Sequence, residues 1–99
     1  GKRVTGLIIR HTQTGRLQSL DVKGVFPYIG ADPISGFLKD FDVRNDSGYL
    51  ITDDRMRTSV PGLYGAGDVR DKALRQVVTA ANDGAVAAQQ AFSDLRLQP

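Results

Sequence analysis

Residues 62–71, GLYGAGDVRD, limit the possible folds more than any other part of the sequence. A strand-like run ends there in Gly65, Ala66 and Gly67, and the carboxylate of Asp68 follows directly. Because glycine costs backbone entropy in a strand or helix, we interpret the two glycines as room for a group that approaches the backbone closely. A long helical segment follows, so the predicted layout is a strand-rich first part and one closing helix.

The segment after this run has the periodicity of a long helix. Apolar residues recur at intervals of three, four and seven, which indicates a helix with one apolar face. We expect this face to pack against the rest of the protein. We also expect a close contact at Gly84, because an interior glycine costs ~1 kcal/mol relative to alanine. The expected buried residues are Val77, Val78, Ala81, Ala85, Ala88, Phe92 and Leu95.

Short strands and turns are predicted for the first two thirds of the chain. The runs 4–10 and 17–22 flank turn residues at 12–15, so we predict a β-hairpin. A third strand is predicted over 25–29, where Pro27 restricts it to a sheet edge or an early end. The remaining predictions are a short helix or irregular turn within 34–44, a turn at 45–48, a strand at 49–52, a turn at 59–62 and a strand at 63–66.

The composition is that of a soluble globular protein. The chain has 99 residues, of which 40% are apolar, and thirteen basic and eleven acidic residues are interleaved to a net charge of +2. No basic run resembles a nucleic-acid or membrane patch, and no apolar run reaches the ~18 residues of a membrane-spanning helix. We therefore expect a cytoplasmic protein with neither kind of partner. The absence of cysteine excludes thiol chemistry within the chain, and a single histidine argues against zinc.

Three features suited to a ligand with hydroxyls and phosphates occur in sequence order. The glycines permit close approach, the Asp68 carboxylate can accept hydroxyl hydrogen bonds, and the helix N-terminus at residues 75–77 favours an anion. Asp68 also follows a predicted strand, which is where ligands bind in open α/β sheets. The same pattern fits a tight turn in which Asp68 caps the next segment while Arg75 and Gln76 face solvent. The residues alone leave both interpretations open.

Two stretches carry a resemblance to a known family. They are TSVPGLYGAGDVRDKALRQVVTAANDGAVAAQQA at residues 58–91 and GVFPYIGADP at residues 24–33. The first resembles the C-terminal part of low-molecular-weight bacterial thioredoxin reductases, in the pyridine nucleotide-disulfide oxidoreductase family. The second resembles the segment in which such chains return from the NADPH domain to the FAD domain.

The resemblance implies a fold and a division into domains. The fold would be α/β, or α+β for the isolated piece: part of a Rossmann-like FAD/NAD(P)-binding domain with a β-hairpin or meander and one long C-terminal helix. Residues 1–30 would form the end of the NADPH-binding domain with the returning strands. Residues 31–99 would form the C-terminal part of the FAD-binding domain.

The resemblance also implies roles for five residues beside FAD. Gly67 and Asp68 match the family's Gly-Asp motif, whose aspartate accepts hydrogen bonds at the ribityl and pyrophosphate-linked part of the cofactor. Arg75, Gln76 and Val77 would lie beside the flavin, with the helix N-terminus facing its pyrimidine edge. That edge gains negative charge on reduction, which a helix N-terminus at a surface stabilises by ~0.3–1 kcal/mol. No catalytic or metal-binding residue is implied.

Several parts of such an enzyme have no counterpart in this sequence. The Gly-rich loops for the ADP half of FAD and for NADPH, and the Cys-x-x-Cys pair, lie upstream in the family. Ile34-Ser35 stand where the family commonly has Asn-Thr, and Pro27 stands where an aliphatic or aromatic residue is usual. The flavin residues named above are unaffected by either departure.

We therefore expect a C-terminal fragment of an NADPH-dependent, FAD-containing thioredoxin reductase, inactive on its own. Its partners would be the rest of the reductase chain and thioredoxin, and the complete enzyme would be a homodimer. Two alternatives remain open from the sequence. One is a ferredoxin–NADP reductase of the same architecture, and the other is a free-standing, non-catalytic binding or interaction domain.

Overall fold

The computed structural model describes residues 1–97, which contain two strands, a 3-10 helix and one long α-helix. Strands β1 (Leu7–Arg10) and β2 (Leu17–Leu20) form an antiparallel pair. The 3-10 helix spans Gly36–Leu38, and helix α1 spans Val77–Leu97. The backbone contacts divide the chain into a first unit, Gly1–Gly30, and a second unit that begins at Ala31. The predicted α/β class, with a hairpin and one long helix, is confirmed.

The predicted hairpin forms in the first unit, with shorter strands than the sequence pattern indicates. Its register places Leu7 opposite Leu20 and Arg10 opposite Leu17. The connecting turn is closed by the carbonyl of His11, which accepts the N–H of Gly15 at 2.8 Å. Gly15 has a φ of 72°, a left-handed conformation that glycine adopts without strain. The turn chemistry of the sequence therefore predicted the hairpin correctly.

The predicted third strand at residues 25–29 is wrong. Within residues 1–97 the only sheet is the two-stranded pair, so this segment has no hydrogen-bonding neighbour. Pro27 lacks a backbone donor, and within the same segment Phe26 and Ile29 are 95% and 101% exposed. An apolar, strand-like composition does not produce a strand where no second strand lies beside it.

In the second unit, isolated bridges replace the strands predicted at 49–52 and 63–66. These two predictions are wrong in extent, because turns reverse the chain after a single residue pair. One such turn is closed between Gly48 N–H and the Asn45 carbonyl at 3.0 Å. The bridges are Arg44–Leu50, Leu50–Arg70 and Arg57–Tyr64.

Leu50 connects the small core to the segment that carries the glycines. Its backbone N–H donates to the carbonyl of Val69 and its own carbonyl accepts the N–H of Asp71, both at 2.8 Å. Its side chain is buried with Leu38 and Val43. This core, with its partly buried neighbours, fixes the backbone on either side of residues 65–70.

Helix α1 confirms the predicted long helix, but the face predicted to be buried is wrong. Every residue of that face is exposed, and Gly84 beside it has nothing within 4 Å of the position a Cβ would occupy. The buried residue of α1 is instead Asp83, and Asp94 is partly buried. Both acids find ion-pair partners in the second unit, which turns this side of the helix inward. Neither helix within residues 1–97 combines the length and the apolar character needed to cross a membrane.

Candidate functional site

The chain folds back on itself just before α1, in a segment of residues 65–70 that we call the glycine loop. The carbonyl of Gly67 accepts the N–H of Arg70 at 3.1 Å, which closes a turn. Gly67 has a φ of 86°, a conformation that strains residues with a side chain. A Cβ at Gly67 would lie 3.7 Å from the Cβ of Ala80 in α1. The glycine loop therefore lies directly against the first turns of the helix.

Gly65 serves the packing of the protein's own side chains. A Cβ there would lie 3.0 Å from Leu50 Cδ1 and 3.0 Å from Thr52 Cγ2, closer than ordinary van der Waals contact. Gly65 therefore leaves room for side chains of the same chain. This replaces the interpretation that it leaves room for an external group. The small residue lets the segment that precedes the turn lie close to the core.

The buried carboxylate of Asp83 binds the glycine loop from the helix side. Its Oδ2 accepts the N–H of Gly67 at 3.0 Å and the ammonium of Lys72 at 2.8 Å, and lies 2.9 Å from Arg70 Nη1. Burial acts to raise the pKa of Asp83, but these three donors outweigh it and hold the pKa at about 2. Since two cations share one carboxylate, the cluster carries one excess positive charge beside the loop.

Arg75 binds the other side of the glycine loop. Its Nε donates to the carbonyl of Asp68 and its Nη2 to the carbonyl of Arg70, each at 3.0 Å. Its guanidinium carbon lies 3.9 Å from the centroid of the Tyr49 ring, which is cation–π distance. The alternative in which Arg75 merely faces solvent is therefore wrong: its guanidinium faces the loop and the aromatic ring.

The carboxylate of Asp68 is exposed and has no hydrogen-bond partner within residues 1–97. The alternative of a tight turn is thus half right, since the turn forms but Asp68 does not cap the next segment. The structure brings Gly67, Asp68 and Arg75 into one cluster through contacts of the main chain.

Gln76 and Val77 lie where α1 begins. The N–H of Gln76 donates to Thr79 Oγ1 at 3.1 Å and its carbonyl accepts the N–H of Ala80 at 2.9 Å, as in a capping box. In the part of the chain that the structure describes, the N–H groups of residues 77–79 have no acceptor. The positive end of the helix dipole is consequently open to an outside group.

Sequence reasoning missed five residues that build this cluster: Tyr49, Arg70, Lys72, Thr79 and Asp83. Signals for two of them were present. Thr79 stands three residues after the residue that precedes the helix, which is the N3 position of a capping box. Asp83 is an acidic residue within a largely apolar helix, where an unpaired charge would be costly if it were buried.

A second polar cluster holds the far end of α1. The Asp94 carboxylate accepts hydrogen bonds from Arg57 (Nη2 at 2.6 Å, Nε at 3.1 Å), from Gln90 Nε2 at 2.7 Å and from the Tyr64 hydroxyl. The hydrogen bonds from Arg57 and Tyr64 hold the pKa of Asp94 well below its usual range, and the pKa of Tyr64 is raised in turn. A groove of about 620 Å³ opens beside this cluster and contains none of the predicted site residues.

Comparisons of the sequence and of the structure with known proteins point to the same class of protein. A family model described as pyridine nucleotide-disulphide oxidoreductase matches residues 2–84. The chain is 45% identical over 91 residues to a thioredoxin reductase of Listeria monocytogenes and 46% identical over 91 residues to one of Treponema pallidum, with 92% of this chain covered each time. The crystal structure of thioredoxin reductase from Streptococcus pyogenes MGAS5005 matches 95% of the chain with a TM-score of 0.78 and 42% identity. That of T. acidophilum thioredoxin reductase matches 91% with a TM-score of 0.73 and 42% identity.

The chain is much shorter than the proteins it matches. It spans 28% and 29% of the two curated relatives, and 31% and 30% of the two solved chains. The fold described above is therefore shared with part of each thioredoxin reductase. The family match extends over the hairpin, the glycine loop and the first turns of α1. The chain belongs to the pyridine nucleotide-disulphide oxidoreductase family.

Proposed function

We propose that this chain is the C-terminal part of an NADPH-dependent thioredoxin reductase and supplies one side of its FAD site. The observation that carries the proposal is an exposed, unpaired Asp68 carboxylate in a loop that is bound to α1 through Asp83 and to Arg75 just before the open N-terminus of α1. Arg75, which binds the carbonyl of Asp68 at 3.0 Å and directly precedes the capping residue Gln76, connects the two groups. A ligand that carries a hydroxyl group and an electron-rich ring edge would satisfy both the carboxylate and the helix N-terminus.

The residues present fit FAD in type and in charge. Asp68 would accept a hydroxyl hydrogen bond from the ribityl chain. Gly67 would contribute the turn that presents this carboxylate, and Arg75, Gln76 and Val77 would border the isoalloxazine ring. When bound, FAD supplies the redox chemistry of this class, the transfer of electrons from NADPH to a disulfide.

The open N-terminus of α1 favours a ligand that gains negative charge. The cluster of Asp83, Arg70 and Lys72 carries one excess positive charge, and the open N–H groups of α1 add the positive end of the helix dipole. Arg70 and Lys72 are 12% and 10% exposed, so solvent screens them less than surface cations. Asp68 and Asp71 add two negative charges to the same segment and Arg75 adds one positive charge, so the side chains balance. The helix N-terminus is then the contribution that would stabilise the reduced flavin relative to the oxidised one.

The remaining assignments concern the rest of the enzyme. We assign residues 1–30 to the end of an NADPH-binding domain with the returning strands, and residues 31–99 to an FAD-binding domain; the division of the contacts between Gly30 and Ala31 supports this boundary. Thioredoxin, a second copy of the complete protein and the upstream part of the same chain would be its partners. The thioredoxin reductases named above favour this class over a ferredoxin–NADP reductase.

Replacement of Asp68 by alanine in the full-length protein that carries this segment tests the proposal. The change removes a charge-assisted acceptor from a cofactor hydroxyl, at a cost of ~1.5–3 kcal/mol. We expect the FAD dissociation constant, measured by flavin fluorescence during titration of the apoprotein, to rise about ten- to hundredfold. Asp68→Asn, which keeps one acceptor oxygen, should have a smaller effect.

Asp71→Ala is the matched control for this experiment. Asp71 is also an exposed acid, three residues further along the same segment, so its removal changes the net charge equally. FAD affinity should be unchanged in this variant. Equal FAD affinities for the wild type and Asp68→Ala would show that Asp68 has no part in flavin binding.

A further inference from the structure

We propose that Asp83 is a positioning residue for the flavin site, because its carboxylate sets the distance between the glycine loop and the first turn of α1. The inference rests on the proposed function, since it takes these two elements as the parts that hold FAD. Asp83 itself is 4% exposed and is not among the residues that would touch the cofactor. Its action would be exerted through the backbone of Gly67.

A continuous set of hydrogen bonds joins the two parts of the site through Asp83. It runs from Gly67 N–H to Asp83 Oδ2 at 3.0 Å, and from Oδ2 to Lys72 Nζ at 2.8 Å. It continues from Lys72 Nζ to Thr79 Oγ1 at 3.3 Å, and from Thr79 Oγ1 to the N–H of Gln76 at 3.1 Å. One end is the residue before Asp68, and the other is the residue before Val77.

The position of Asp83 in the helix suits this role. It lies six residues after Val77, which corresponds to about 9 Å along the helix axis. The glycine loop is thus attached beside the second turn, while Arg75 holds the carbonyl of Asp68 from the N-terminal side. With both sides of the loop bound, the backbone of Asp68 keeps a defined position relative to the first turns of α1.

Asp94 provides a matched comparison within the same helix. It is also an acid of α1 with several donors, but these come from Arg57, Tyr64 and Gln90, none of which lies in the glycine loop. Lengthening either acid by one methylene group keeps its charge while displacing its carboxylate. A general effect on helix packing would follow from either change, whereas an effect on the loop follows only at position 83.

The experiment compares Asp83→Glu with Asp94→Glu in the full-length protein. The readouts are the FAD dissociation constant, the visible absorption spectrum of the bound flavin and the melting temperature of the apoprotein. We expect Asp83→Glu to weaken FAD binding about tenfold and to shift the flavin spectrum, because a displacement of about 1 Å is costly in an organised site. Asp94→Glu should change the melting temperature comparably but leave FAD affinity and spectrum unaltered.

A second variant covers the case in which Asp83→Glu fails to fold, as judged by circular dichroism. Lys72→Met leaves the Gly67–Asp83 hydrogen bond in place and removes the connection from Asp83 to Thr79. Because one hydrogen bond of the set is lost, FAD binding should weaken about two- to tenfold.

The outcomes separate this inference from the proposed function. One outcome is that the wild type binds FAD and Asp68→Ala weakens this binding, while Asp83→Glu and Asp94→Glu change FAD affinity equally or not at all. Asp83 then has only a structural role, and the positioning inference is overturned. Unchanged FAD affinity in a folded Lys72→Met variant overturns the part of the inference that connects Asp83 to Gln76 through Lys72 and Thr79. If the wild-type protein binds no FAD, both the proposed function and the inference are overturned.

Discussion

The 99-residue chain on its own will be colourless after purification and will not accelerate the oxidation of NADPH. It supplies the Asp68 side of the proposed flavin site, whereas a Gly-rich loop that would fix the pyrophosphate on a helix N-terminus is not in its sequence. Contacts made together share a single entropic cost of association, so half of a site binds far more weakly than the whole. We expect a dissociation constant for FAD of about 1 mM. Without cysteine, the chain cannot carry a dithiol relay either.

Two measurements check this result. The visible absorption spectrum of the chain after incubation with FAD and desalting reports retained flavin. The absorbance of NADPH in a mixture with FAD and thioredoxin reports turnover, and the same mixture without protein is the blank. Under the proposed function, the full-length protein that carries this segment is the positive control for both. Stoichiometric flavin on the isolated chain, or NADPH-dependent disulfide reduction by it, would mean that a complete flavin site exists within this chain or across a dimer of it.

Asp83→Asn should destabilise the second unit more than any exposed substitution. It leaves Arg70 and Lys72 without their shared carboxylate, although both are largely buried. Loss of one partner from a buried ion pair costs about 3–5 kcal/mol, a large part of the 5–15 kcal/mol that stabilises an ordinary domain. Urea denaturation followed by circular dichroism measures the free energy of unfolding. Asp46→Asn, at an exposed turn position, is the control and should leave this free energy unchanged.

The pH dependence of folding stability tests the same prediction in a second way. Folding lowers the pKa of Asp83 from 3.8 to about 2, so its contribution to stability is complete above pH 3.8 and is lost as the pH falls towards 2. The wild type should therefore lose stability across this interval, and Asp83→Asn should lose less. Asp94, whose pKa is also lowered by its partners, should contribute to the acid sensitivity that remains in the variant. Identical pH profiles for the two proteins would contradict the ion-pair account of Asp83.

The parts of the fold that the sequence predicted are those governed by neighbouring residues. The hairpin follows from the turn residues between its strands, and α1 follows from its periodicity, although it begins at Val77 rather than at residue 75. The tight turn at Gly67 follows from glycine's access to a positive φ. Each of these depends on contacts only a few positions apart along the chain.

The parts that the sequence did not predict depend on distant partners. Periodicity identified α1 but assigned its buried face by hydrophobicity alone, and the ion pairs of Asp83 with Arg70 and Lys72 oppose that assignment. The strand at 25–29 was predicted from residue type and lacks a neighbour among residues 1–97. In the site, the contact of Arg75 with Tyr49 spans 26 positions of sequence, which no local pattern encodes.

The orientation of α1 has a calorimetric consequence. Unfolding raises the heat capacity of an ordinary protein by ~12–15 cal/mol/K per residue, because buried apolar surface becomes hydrated. This chain keeps the apolar face of α1 in water while folded, and its buried hydrophobic residues are Leu38, Val43, Leu50 and Met56. Its heat capacity increment should therefore fall below that range, which makes the enthalpy of unfolding depend less steeply on temperature than in an ordinary domain. The stability curve of such a chain is broad and shallow, with cold denaturation displaced to lower temperature than in a domain of the same length with a full core.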